Sequence, residues 1–127
     1  QQVTFKIQYI NLILPKKSLS KICNESLVDS KAENLLTLDV ENISSFADKI
    51  IIATARSNRH AMSVSEKLVE CVKKHKLSIL GVEGELESGW ILVDCGDVVI
   101  NIMNQEQRDF YDLEGLWGEN IFLKKEI

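Results

Sequence analysis

Between Lys49 and Lys76 the hydrophobic period of the chain switches, and that switch constrains the fold more than any other feature of the sequence. Residues 49–55 (KIIIATA) form a continuous apolar run rich in β-branched residues, which is the pattern of a buried strand. The next stretch, TARSNRH, changes the character of the chain. Ser57 and Asn58 are strong helix N-cap residues, and Ala61, Val64, Leu68 and Val72 follow on one helical stripe. This predicts a helix of about five turns. It ends among Lys73, Lys74, His75 and Lys76, where cations suit the negative end of the helix dipole. A helix with one apolar stripe must lay it on another element, so a strand feeding such a helix demands a layered structure.

The flanking segments supply the other elements. Leu19, Ile22, Cys23 and Leu27 fall near helical spacing behind Ser18 and Ser20, predicting a helix that fades near Asn34. Residues 35–40 (LLTLDV) read as a second buried strand, with 41–45 as the loop into the apolar run. Residues 77–82 are expected to form a third strand before the glycine-flanked turn GVEGELESG. WILVD and VVINIM then lie either side of Cys95, Gly96 and Asp97, the spacing of a tight hairpin. Alternation puts Ile91 and Val93 on one face and Trp90, Leu92 and Asp94 on the other. Residues 105–117 read as one helix with Phe110, Leu113 and Trp117 on its stripe, and Phe110 is expected in the core. The result is an α+β domain, two-layer, with a mixed, roughly five-stranded sheet and flanking helices.

At 127 residues one core suffices without disulfides or a structural metal, and no apolar run reaches the roughly 18 residues of a membrane span. The domain is expected over 20–118, with an N-terminal arm or extension over 1–19 and a C-terminal tail over 119–127. The arm is acid-free and apolar from Val3 to Leu14, compatible with a processed targeting remnant, a disordered arm or an added strand. Three widely spaced cysteines suit a reducing compartment, so the location is read as cytoplasmic with an organelle left open. The net charge of −4 argues against a general phosphate-backbone binder. That average hides a gradient of +3 over residues 1–31, +1 over 32–81 and −8 over 82–127. The acidic third repels nucleic acid and steers toward a basic protein.

Candidate chemistry is sparse. Ser57, Asn58 and Arg59 at a helix N-terminus suit a phosphate or carboxylate, yet without a glycine-rich loop Ser57 reads first as a cap. His60 reads as a packed ring rather than a base. Asp94 and Asp97, with Glu83, offer carboxylates for a divalent cation, but Asp beside Gly96 is also what a tight turn requires. Cys71 and His75 are four apart, and two ligands do not make a metal site. No nucleophile elbow joins serine, histidine and acid. The chain is therefore read as a non-enzyme without catalytic, cofactor-binding or metal residues. Trp90, Tyr111 and Trp117 beside so many acids suit a protein interface, with Trp90 the better exposed anchor.

Taken in order, LDV (38–40), ATARSNRH (53–60), GVEGE (81–85), GWILVDCGDVVINIM (89–103) and EQRDFYDLEGLW (106–117) resemble the ribosomal silencing factor family, also called Iojap-related proteins. The resemblance runs from about Ser26 to Gly118, with Cys95 where an aromatic or Leu is common and Asn101 where His is common. It implies a nucleotidyltransferase-type α+β fold without demonstrated catalysis, often a homodimer. It also implies binding to the large ribosomal subunit through ribosomal protein uL14, blocking small-subunit joining and silencing translation when nutrients run short. Organellar members are linked to large-subunit assembly. By the same resemblance Trp90, Asp94 and Asp97 belong at the partner surface, with Glu83, Arg59 and Tyr111 as lesser candidates. One alternative is an active metal-dependent nucleotidyltransferase. Such enzymes usually place Gly-Ser at the helix start and paired acids on the following strand, whereas here the turn reads Arg56-Ser57 and Asp94 is far downstream. A dimeric adaptor with no ribosomal partner is the other.

Overall fold

The computed structural model describes residues 18–117 and 122–125, so most of the expected N-terminal arm lies outside it. Helix α1 spans Leu19–Asp29; the Ser18 hydroxyl caps it by accepting from the Lys21 amide, and Ile22, Cys23, Ser26 and Leu27 form its buried side. Strand β1 (Glu33–Asp39) pairs antiparallel with β2 (Lys49–Ala55). Helix α2 (Asn58–Lys74) starts where Ser57 accepts from the His60 amide and buries Ala61, Val64, Ser65, Leu68 and Val72, the stripe read from the sequence. Its 17 residues make the five turns that the spacing predicts.

The remaining elements are β3 (Gly81–Glu83), a short 3-10 turn at Leu86–Ser88, β4 (Trp90–Asp94), β5 (Val98–Asn104), α3 (Gln105–Tyr111), α4 (Leu113–Trp117) and β6 (Phe122–Lys125). The strands form one sheet ordered β3-β4-β5-β2-β1-β6. Every neighbouring pair is antiparallel except β2 and β5, which run parallel and are joined through α2 and the β3–β4 hairpin. The sheet is therefore mixed. It carries the five strands read from the sequence and a sixth, because residues 122–125 pair with Leu36–Asp39.

Two readings are corrected. The third strand is only Gly81–Glu83: residues 77–80 lead into it irregularly, tied by the Leu77 amide to the Val72 carbonyl and the Leu80 amide to the Asp94 carbonyl. The helix expected over 105–117 is two helices, because Asp112 adopts a left-handed conformation at φ 45° and its carboxylate accepts from the Gly115 amide. The break reorients the stripe. Arg108, not Phe110, faces inward, and Phe110, two residues on and therefore on the other side of the helix, is 77% exposed.

Buried side chains collect on both faces of the sheet. Under α1 and α2 lies the main cluster, including Leu27, Ile51, Leu68, Val72, Ile91, Val93, Ile100 and Ile102. On the far face Leu38, Val40, Ile50, Ile52 and Met103 form a smaller one, with Leu36, Trp90 and Leu113 packed at its border.

Candidate partner-binding surface

The β4–β5 hairpin carries the candidate residues, and its register decides where each one points. Cys95 to Val98 close the turn: the Cys95 amide donates to the Val98 carbonyl at 2.9 Å, and the Gly96 amide to Asp94 Oδ1 at 2.8 Å. Gly96 sits at φ 85°, a conformation glycine adopts without strain. One oxygen of Asp94 is thus used to shape the turn, and the carboxylate is half-buried. Asp97 is exposed, while its carbonyl accepts from the amides of Asp48 and Lys49 and pins the loop before β2 to the turn.

At the opposite end of β4, Trp90 stands across from Met103. Its Nε1 donates to Asn101 Oδ1 at 2.9 Å, and its ring meets Tyr111 at 4.8 Å between centroids, tilted by 51°. Phe110 packs edge-on against Tyr111 at 4.9 Å. Trp90 is therefore half-buried, not the exposed anchor expected of it, because an indole N–H pointing into a sheet needs a partner and Asn101 supplies one. Tyr111 and Phe110 carry the exposed part of the strip, at 48% and 77%. Gly89, at φ 67°, lets the Asn104 carboxamide lie close against the chain before Trp90, since a side chain there would run into it.

The six candidates form two groups. Asn104, at the end of β5, donates from Nδ2 to Asn58 Oδ1 at 2.9 Å, so the start of α2, which carries exposed Arg59, lies at the same end of the sheet as Trp90 and Tyr111. Asp94 and Asp97 lie four and seven residues further along the hairpin, and Trp90 to Asp94 spans about 14 Å of strand. Glu83 sits between, opposite Leu92 on the neighbouring strand. Near the acidic end Phe46, Leu80, Leu92 and Val99, together with Glu83 and Asp94, line a groove of about 360 Å³ whose wall is mixed polar and apolar.

The chemistry of the remaining candidates is structural. His60 Nδ1 accepts from the Arg56 amide at 3.0 Å, so Nε2 holds the proton and donates to the Ser30 carbonyl at 2.8 Å. Both ring nitrogens are occupied, Nδ1 in closing the β2–α2 turn and Nε2 in tying α2 to the end of α1. Among the described residues no three His, Cys, Asp or Glu side chains gather in a geometry suited to a metal ion. Arg108 is the residue that sequence reasoning missed. Its guanidinium donates to the Asn34 carbonyl at 2.5 Å and Thr54 Oγ1 at 2.8 Å, and it pairs with Glu114 at 3.2 Å. This clamp holds α3 and α4 to the sheet and so sets where Tyr111 lies. A spacing of six residues is not a helical pair, so only the break at Asp112 lets Arg108 and Glu114 meet.

Known proteins are similar to this chain over most of its length. A family model described as "Ribosomal silencing factor during starvation" matches residues 15–127. "Ribosomal silencing factor RsfS" of Chromobacterium violaceum is 36% identical over 102 residues, covering 80% of this chain and 84% of that protein. "Mitochondrial assembly of ribosomal large subunit protein 1" of Mus musculus is 30% identical over 94 residues, covering 72% of this chain and 41% of that one. A crystal structure of a protein from Chromobacterium violaceum superposes with a TM-score of 0.76 at 36% identity, covering 80% of this chain and 85% of that chain.

Proposed function

The chain belongs to the ribosomal silencing factor family, and from that premise we propose that it docks on the large ribosomal subunit through ribosomal protein uL14 and keeps the small subunit from joining. The observation that carries this reading is the hairpin face itself. Aromatic rings at one end (Trp90, Tyr111, Phe110) and acids toward the other (Glu83, Asp94, Asp97) border the sheet face that the two long helices leave open. Rings supply contact area at low entropic cost, and acids orient a basic protein. The net −8 of residues 82–127 adds long-range attraction for such a partner.

The mechanism is steric. A 14.4 kDa domain seated on the intersubunit side denies the small subunit its contacts, which requires occupancy and no turnover. Translation is then repressed for as long as the complex lasts. The name of the mouse relative ties that protein to large-subunit assembly in mitochondria, and the same occupancy during assembly would hold a maturing subunit apart from its partner. Among the described residues no helix is long and apolar enough to cross a membrane.

Mixing the protein with separated ribosomal subunits and resolving them on a gradient tests the reading. The joined-particle peak falls with the parent protein, and Trp90→Ala or Asp94→Lys weakens that effect. If both variants block joining as well as the parent does, the docking face lies elsewhere.

A further inference from the structure

Toward the turn end of the hairpin, the open face of the sheet has an aliphatic floor and an acidic rim. Strand β4 runs between β3 and β5, so that Asp94 stands opposite Gly81 on one side and Val99 on the other, while Leu92 stands opposite Glu83. Residues paired across strands share a face, and these five line one surface of the sheet. They frame the groove of about 360 Å³, with Leu80 and Phe46 at its margins, 68% and 61% exposed. Gly81 leaves the middle of the groove empty: a Cβ built there meets nothing within 4 Å.

Two carboxylates border this space. Glu83 is exposed and Asp94 is half-buried, with its Oδ1 taken by the Gly96 amide at 2.8 Å. Among the described residues no lysine or arginine pairs with either acid. The two are diagonal neighbours across the β3–β4 pair, which puts their Cβ atoms roughly 7 Å apart. Two acids without a cation, beside exposed aliphatic surface, match a long side chain with a cationic head, whose methylene stem covers the apolar floor while the head stays at the rim. Lysine brings a compact, strongly hydrated charge. A guanidinium is flat, gives up its water more easily and directs five N–H donors outward, so it bonds two carboxylates at once.

We propose that this groove receives one arginine side chain of a basic partner protein. The inference rests on the reading of the hairpin face as the docking surface and names the group that enters it. The arginine stem lies against Leu80, Leu92 and Val99, and the guanidinium donates to the Glu83 carboxylate and to Asp94 Oδ2. Because the Gly96 amide already fixes the Asp94 carboxylate, little side-chain freedom is lost there on binding. Asp97 does not line the groove, so its charge attracts the partner without holding the arginine.

Two measurements on the full chain test this. In the first, the backbone amide resonances are followed while a capped Gly-Arg-Gly peptide is added, and then its counterparts with lysine or with citrulline, which keeps the shape of arginine without its charge. The arginine peptide gives saturable shifts at Gly81, Glu83, Leu92, Asp94 and Val99, the lysine peptide binds more weakly, and Glu83→Gln or Gly81→Leu each weakens the arginine peptide by about fivefold or more. Gly81 has room for a side chain and lies outside the left-handed region, so Gly81→Leu fills the groove of a folded chain. The proposal is overturned if the citrulline peptide shifts the same amides as strongly, if the lysine peptide binds as tightly, or if the arginine shifts fall elsewhere.

In the second, co-sedimentation with the large ribosomal subunit, Gly81→Leu lowers affinity by about tenfold with the circular dichroism unchanged. Unaltered affinity overturns the partner's arginine as the occupant and leaves docking itself standing. Failure of the parent chain to co-sediment removes the ribosomal reading instead, and the peptide titration then decides the groove alone.

Discussion

On the face under α1 and α2, aliphatic side chains from both helices and from the central strands interlock into one cluster, whereas on the opposite face a smaller cluster is bordered by Trp90 and Leu113 and its neighbourhood is polar. Arg108, Asn101 and Thr54 are buried on that second face, each engaged in a hydrogen bond. The first face is held by area removed from water, which is non-directional and tolerant of detail. The second is held by donors and acceptors that must meet in fixed geometry, so what lies over it is placed more finely. A docking surface profits from that arrangement: the rings of Trp90 and Tyr111 are oriented by Asn101 and by the Arg108 clamp, and sit at the border of the polar face.

Leu68→Ala, in the middle of the α2 stripe, should cost about 3 kcal/mol in a denaturant titration, since it removes a fully buried side chain beneath a helix that cannot collapse onto the gap. Leu113→Ala, at the border of the small cluster, should cost about 1 kcal/mol; equal losses would break the distinction between the faces. Arg108→Ala comes next, at about 2 kcal/mol of stability, because it strands the Thr54 hydroxyl and the Asn34 carbonyl; the exposed side of Glu114 limits what the ion pair adds. The same variant should weaken docking more than its stability loss explains, because Tyr111 loses its anchor.

Tyr111→Ala separates the two roles more sharply. Its ring is half exposed, so unfolding should shift by less than about 0.5 kcal/mol, while affinity for the large subunit, measured by co-sedimentation, falls about tenfold. A stability loss as large as that of Leu68→Ala would make the aromatic strip part of the core rather than a contact. The smallest effect is expected from Asp97→Lys: a two- to fivefold slower association at low salt that vanishes at high ionic strength, because an exposed charge steers rather than anchors. An effect that persists at high salt would instead place Asp97 in direct contact.

Local pattern is a good guide where one interaction type decides. The stripe Ala61, Val64, Leu68 and Val72 and the Ser57 cap are as the periodicity predicts, because both depend only on near neighbours in the chain. The hairpin faces are equally faithful, with Ile91 and Val93 in the main cluster and Leu92 and Asp94 on the other side. Pattern misleads where distant partners decide. Residues 77–80 are apolar enough for a strand, but Leu80 is held singly to Asp94 and the pairing starts only at Gly81. Phe110 looks like core until Asp112 turns the chain and Arg108 takes the inward position. The joining of β6 to β1 across more than eighty residues leaves no local mark at all.

Of the candidate surface, the residue types were readable and their grouping was not. A tryptophan after Gly89 and acids around Gly96 stand out in the sequence, yet Trp90 is half-buried because of Asn101, eleven residues away, and its contact with Tyr111 depends on a helix break held by Arg108 and Glu114.

The sequence by itself determined the order of helices and strands as far as β5, the helix face that must be buried, the hairpin and the acidic balance of the last third, since each follows from spacing or counting along one segment. Only the tertiary structure decided which strands run side by side, that the far face of the sheet is fastened by a buried arginine, and that Trp90 meets Tyr111. Those outcomes depend on geometry between segments far apart in the chain, where a hydrogen bond or a ring contact is made or lost within an ångström and no local period records it.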